Sequence, residues 1–209
     1  MELIKNLNWR YATKKFDPIK KVSDEHLDQL KEAVTLSVSS YGLQLYKVLI
    51  VNNKEIREQL QPVSWNQSQI TDASHLFVFC NYKDVTPNRI DEYIQLTAKK
   101  RQLDVEALKG YSDFMKMKLA EKTPQETSSW LKSQTYLALG NLLTACAELK
   151  IDACPMEGFD SDQYNDILGL DQKGLNASVV ATIGYRHDED HTQNLAKIRK
   201  PSELLFEEI

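Results

Sequence analysis

Apolar positions along the chain switch between helical and strand-like spacing, and the switches predict most of the elements. Leu3, Ile4 and Leu7 recur at helical intervals and predict a short helix that runs on through Trp9-Arg10-Tyr11-Ala12-Thr13-Lys14-Lys15-Phe16, with Asp17-Pro18 closing it. Ser23 supplies a capping hydroxyl, and Asp24 and Glu25 suit the positive end of the next helix, whose buried stripe is Leu27, Leu30, Ala33 and Val34. A small, hydroxyl-rich loop from Ser37 to Gln44 leads to Tyr46-Lys47-Val48-Leu49-Ile50-Val51, which reads as a strand. Leu76 to Cys80 reads as a second, central strand and Ala177 to Tyr185 as a third. Lys54 to Leu60 and Tyr164 to Leu170 fit short helices, and Trp65 to Ile70 an amide-rich connector.

From about 86 to 122 the chain turns charged and helix-prone, divided at Gly110. This predicts a helical excursion from the core that covers a pocket or a partner, or simply faces solvent. Thr123-Pro124-Gln125-Glu126 then combines a capping hydroxyl, Pro at the first helical position and Glu three residues after the Thr. In the helix that follows, Leu137, Leu139, Leu142, Leu143, Cys146 and Leu149 leave almost no polar face in the second half, the pattern of a helix buried on all sides. A second subunit is the economical cover in a chain of this size. Directly behind it, Ile151 to Asp160 is an apolar run ending where Pro155 and Gly158 flank Glu157. That describes a loop on a rigid support, where backbone can come close to a ligand. Helices and strands without regular alternation make the class α+β.

The 209 residues, 42% of them hydrophobic, suffice for one compact domain spanning 1–209. A net charge of -4 argues against a binder of nucleic acid or anionic membranes, which relies on a summed positive field. Three cysteines, all in apolar runs, fit buried thiols in a reducing compartment better than a disulfide framework. Met1 to Lys5 has no apolar signal region and no stretch approaches the roughly 20 apolar residues that span a bilayer, so the expected location is cytoplasmic. The glycines form neither the dinucleotide fingerprint nor the Walker A loop, and no Ser sits in a nucleophile elbow. His187 and His191 are four apart, but Asp188-Glu189-Asp190 between them reads as a solvated loop, so no metal site is expected. Arg10 and Lys14, if helical, share a face and repel unless an anion or electron-rich partner lies between them; the plainer reading is a solvated basic face.

Four separated pieces carry more than any of these motifs. They are Arg10 to Phe16; Ser39-Ser40 with Gln44; Asp72-Ala73-Ser74-His75 leading into a strand; and Pro155-Met156-Glu157-Gly158-Phe159-Asp160. With a fifth, Lys197-Ile198-Arg199-Lys200-Pro201, their order and spacing resemble the FMN-dependent nitroreductase family, closest to its oxygen-insensitive NAD(P)H nitroreductase and dihydropteridine reductase branch.

The resemblance implies a central, mostly antiparallel sheet flanked by helices, and an intertwined homodimer with FMN at the subunit interface. Arg10, Lys197 and Arg199 would hold the FMN phosphate, with Tyr11 and Ala12 on the same segment. Lys14 would face the N1 and O2 edge of the flavin, where a fixed cation raises the reduction potential. Asn66 would bond to the ribityl or pyrimidine region with Gln69 nearby, and Ser39 and Ser40 would come from the other subunit. Pro155 and Met156 lead to Glu157 and Gly158, whose main-chain N–H groups would address N5 and O4. Tyr41 and Phe114 are candidates for stacking on substrate. Three positions depart from the family pattern: Ala12 stands where many members have a hydroxyl, Leu45-Tyr46 replaces a Pro-Trp pair, and Gln69 stands where close relatives carry Lys. The implied activity is reduction of electron-poor acceptors by NADH or NADPH, with ping-pong kinetics and no required acid-base residue. The alternative is a flavin-binding redox or sensing module without efficient nicotinamide turnover.

Overall fold

Four strands, β1 (Tyr46–Val51), β2 (His75–Tyr82), β3 (Asp152–Met156) and β4 (Leu175–Gly184), form one antiparallel sheet in the order β1-β2-β4-β3. The computed structural model describes residues 1–209. In β2 the side chains of Leu76, Val78 and Cys80 enter one apolar cluster, and those of Phe77 and Phe79 the opposite one. Because successive strand residues face opposite sides, a strand buried on both faces must be apolar throughout, which is why this run shows no polar alternation. A register shift between Phe79 and Cys80 interrupts the pairing of β2 with β4.

Helices occupy both faces. On one lie α2 (Asp24–Thr35) and α7 (Pro124–Glu148), with Leu27, Leu30, Val34 and Leu142 packed on Phe77, Phe79 and Ile183. On the other lie α3 (Lys54–Leu60), α4 (Gln69–Asp72) and α8 (Ser161–Leu168), with Leu60, Ile70 and Tyr164 packed on Leu76, Val78 and Met156. The remaining helices are α1 (Glu2–Trp9), α5 (Pro87–Arg101), α6 (Lys109–Ala120) and α9 (Ser202–Leu205). Helices α5 and α6 enclose a third cluster that includes Ile90, Ile94, Met115 and Leu131. None of the helices is long and apolar enough to cross a membrane.

Four expectations change. Helix α1 stops at Trp9, and Arg10 is already extended with φ -70 and ψ 143. Ala12 instead forms a parallel bridge with Ala153, and the Thr13 N–H donates to the Ala153 carbonyl at 3.4 Å. The free edge of β3 needs backbone partners, and that demand overrides the helical spacing of the sequence. Strand β3 itself was hidden by Pro155, which a sheet tolerates because this strand lies at an edge. The amide-rich connector before β2 contains α4 and a left-handed pair, Trp65 and Asn66, each with φ 55. Finally, α7 is not enclosed within one chain: Leu137 is 46% exposed and Gly140 and Asn141 lie on the open side.

The capping box of α7 forms, with the Thr123 hydroxyl accepting from the Glu126 N–H and the Glu126 carboxylate accepting from the Thr123 N–H. Urea denaturation should show Leu142→Ala, which empties space at the sheet face of α7, losing about 2–5 kcal/mol. Thr123→Ala should lose only about 1 kcal/mol.

Candidate functional site

The segment from Arg10 to Phe16 is a strap pinned to the end of the sheet. Beyond the Ala12–Ala153 bridge, Phe16 pairs with Arg186, the Asp17 N–H donates to the Tyr185 carbonyl at 2.8 Å, and the His187 N–H to the Lys15 carbonyl at 2.9 Å. Arg186 in turn pairs with the buried Asp152 carboxylate at 2.6 Å and lies over the rings of Trp9 and Tyr11, 4.4 and 4.6 Å from their centroids. A guanidinium held by both a carboxylate and two aromatic faces fixes where the strap leaves α1.

At Lys14 and Lys15 the strap bends around Asp190. One carboxylate oxygen of Asp190 accepts from the Lys14 N–H at 2.8 Å, the Lys15 N–H at 3.2 Å and the Tyr11 hydroxyl at 2.9 Å. The other accepts from the N–H of Thr192 at 3.0 Å and from its hydroxyl. Burial opposes the charge of Asp190, but these donors outweigh it and hold its pKa down at about 2. The expected solvated loop is therefore wrong at this position, where only 2% of the residue is exposed. Spacing shows only its local partner Thr192; the other three donors come from a segment some 175 residues away.

Arg10, Lys14, Lys197 and Arg199 line one cleft of about 390 Å³ whose lining holds no carboxylate. The Lys197 ammonium donates to the Arg10 carbonyl, which ties the tail to the strap. The Arg10 Nε is buried and has no hydrogen-bond partner. Burial, followed by the charge of Arg199, pulls the Arg10 pKa down; burial and the charges of Arg10 and Arg199 do the same to Lys197. Cations held this close destabilise one another, which is the expected condition of an anion site. Arg10 and Lys14 do not share a helical face; they reach the same cleft from an extended strap and its bend. Tyr11 lines the cleft with its hydroxyl committed to Asp190, and Ala12 is half-buried against the core.

A second group lies where β3 ends. The Glu157 and Gly158 N–H groups donate to no atom of the chain. The Trp65 ring covers Gly158 so closely that a Cβ there would lie 2.7 Å from it, and the Gln67 side chain donates to the Gly158 carbonyl at 3.1 Å. Trp65 was not a candidate from the sequence; it is 77% exposed, beside the exposed Asn66. Gln69 is buried at the start of α4, the Met156 side chain belongs to the core, and Pro155 and Met156 pair with Ala181 and Val180 of β4. The Tyr136 hydroxyl donates to the Glu157 carboxylate at 2.5 Å; burial, then this bond and the carboxylate's charge, push the Tyr136 pKa up to about 12.

A third group lies elsewhere. Ser39 accepts from the Gln44 N–H at 2.9 Å, and the Ser40 N–H donates to the Gln134 side chain at 2.8 Å. Tyr41 brings Phe114 and Trp130 together, with ring centroids 6.5 and 6.4 Å away. Gln134 and Tyr136 are two residues apart on α7, hence about 200° around its axis. One helix thus touches the serine loop with one side and Glu157 with the other.

The nitroreductase family profile matches residues 7–185, and the chain belongs to that family. A Staphylococcus epidermidis protein provisionally named an NAD(P)H nitroreductase is 36% identical over 195 residues, covering 90% of this chain and 89% of its own. The major NAD(P)H-flavin oxidoreductase of Aliivibrio fischeri is 34% identical over 208 residues, with 96% and 95% covered. Among solved structures, an Exiguobacterium sibiricum protein described as a nitroreductase and crystallised with FMN superposes with a TM-score of 0.82 at 19% identity, covering 100% of this chain and 96% of that one.

The Asp190 network has a pH signature. Its folded pKa lies below the ordinary carboxylate value of 3.8, so the stability it contributes is complete above about pH 4 and disappears as pH falls through about 2. Urea unfolding at pH 5, 3 and 2 should find wild type and Asp190→Asn converging in stability toward the lowest pH.

Proposed function

We propose that this protein is an FMN-dependent oxidoreductase that uses NADH or NADPH to reduce electron-poor acceptors such as nitroaromatics or quinones. The observation that carries the proposal is the carboxylate-free cleft of four cations, with the Arg10 Nε buried and unpartnered inside it. A phosphate dianion matches that donor set, because guanidinium and ammonium groups together supply charge and directed N–H bonds. The chemistry of FMN, when bound, is to accept a hydride from the nicotinamide at N5 and to release two electrons to a second substrate on the same face, which makes the kinetics ping-pong.

The chain's own residues then have distinct tasks. Arg10, Lys197 and Arg199 hold the phosphate, and Lys14 offers a cation at the pyrimidine edge, where it favours the reduced state. The free N–H groups of Glu157 and Gly158 are suited to the N5 and O4 edge, with Asn66 on the ribityl or pyrimidine side. Trp65 walls this end of the site. Tyr41 and Phe114, in the group on the other side of α7, would stack on a planar acceptor at the site of the partner copy. No side chain needs to move a proton for hydride transfer, and the Glu157 carboxylate is engaged by Tyr136.

The complete site belongs to a homodimer. Ser39 and Ser40 lie across α7 from Glu157 in one chain, which supports their serving the site of the partner copy. The apolar surface left on Leu3, Ile4, Leu137, Leu204 and Phe206 supports the same assembly. Three buried free thiols suit a reducing compartment such as the cytoplasm.

Purified protein should absorb as a flavoprotein and bleach anaerobically with NADH or NADPH. Flavin that neither nicotinamide reduces would overturn the enzyme reading and leave a flavin-binding module. Arg199→Ala should weaken FMN binding roughly 10- to 150-fold, the loss of one charged hydrogen bond. Lys14→Ala should lower the flavin midpoint potential in spectroelectrochemical titration; an unshifted midpoint places Lys14 away from the ring.

A further inference from the structure

Two segments far apart in sequence supply the phosphate-facing cations: the strap carries Arg10, and the tail carries Lys197 and Arg199. They meet through one carboxylate. Asp190 takes three donors from the strap on one oxygen and two from Thr192, at the start of the tail, on the other. The tail then closes a ring by returning the Lys197 ammonium to the Arg10 carbonyl. A cap for the short turn His191–Asn194 would need only the Thr192 N–H. The strap's three donors exceed that need, and all five groups around Asp190 are donors.

We propose that Asp190 is a positioning residue that sets strap and tail in the register where Arg10, Lys197 and Arg199 converge, and thereby gives the site its preference for a phosphorylated flavin over riboflavin. The proposal rests on the FMN reading of the cleft. Asp190 lies outside the cleft lining and acts through the segments it joins. The N–H groups of Glu157 and Gly158 are held independently, by β3 and by the Gln67–Gly158 contact. Losing Asp190 therefore disperses the phosphate contacts and leaves the ring contacts in place. Any change at Lys14, on the ring side, acts equally on FMN and riboflavin and cancels in the ratio of their dissociation constants.

Asp190→Asn is nearly isosteric, but whichever way the amide is turned its NH2 faces at least one backbone N–H, of Lys14 and Lys15 on one side or of Thr192 on the other. Tyr11→Phe removes a single donor and leaves the carboxylate. Kd for FMN and for riboflavin would be measured by fluorescence titration of the apoprotein, together with its melting temperature. The wild type should prefer FMN. In Asp190→Asn the preference should fall roughly tenfold or more, the scale of a charge-assisted hydrogen bond, and in Tyr11→Phe by less in the same direction. A lower melting temperature with an unchanged FMN-to-riboflavin ratio would mean that Asp190 merely stabilises the fold, and overturns the proposal. If Asp190→Asn fails to fold, Tyr11→Phe decides by the same ratio. A wild type that binds neither flavin overturns the FMN reading itself, a result separable from normal binding with an unmoved ratio.

Discussion

The antiparallel pairing of β2 with β4 is the constraint on which the other elements depend. Both strands are buried on both faces, so a slip of one residue would exchange Leu76 and Val78 with Phe77 and Phe79 between two helical layers of different shape. Those layers hold the site. Helix α7 fixes one side of Glu157 through Tyr136, and the turn before α4 brings Trp65 and Asn66 to the other. The edge strand β3 ends between them, and its free edge recruits the strap.

The fold was legible where local chemistry and burial agree. Thr123-Pro124-Gln125-Glu126 forms the capping box that its spacing promises, and the three apolar runs became β1, β2 and β4. It was illegible where a distant partner decides the conformation. Arg10 to Phe16 has helical spacing and precedes an Asp-Pro stop, yet it is extended because β3, some 140 residues later, has an edge to fill. β3 was obscured by its own proline. The open face of α7 belongs with the legible part, since an apolar pattern on all sides of a helix records a need for cover that one chain of this size does not meet.

Site residues divide in the same way. The cations Arg10, Lys14, Lys197 and Arg199 could be named from the sequence because their order and spacing match a known pattern, and the chain brings them to one cleft. Asp190 and Trp65 could not. One sits in an acidic run with the look of a solvated turn; the other lies in a connector and acquires its place through a left-handed backbone and a glycine it covers. Both support groups that the sequence does expose. Supporting residues have no preferred spacing relative to what they support, so three-dimensional packing is where they first become visible.

The tie between Lys197 and Arg10 joins residues 187 positions apart. Every strand of the sheet lies between them in the chain. A nascent polypeptide that has already built β1 and β2 therefore carries only the strap's side of the cleft, and the other side comes into being only after β4 has been translated and the tail has docked. The cleft is for that reason a late-forming feature of this fold, and its closure reports that the two ends of the chain have found each other.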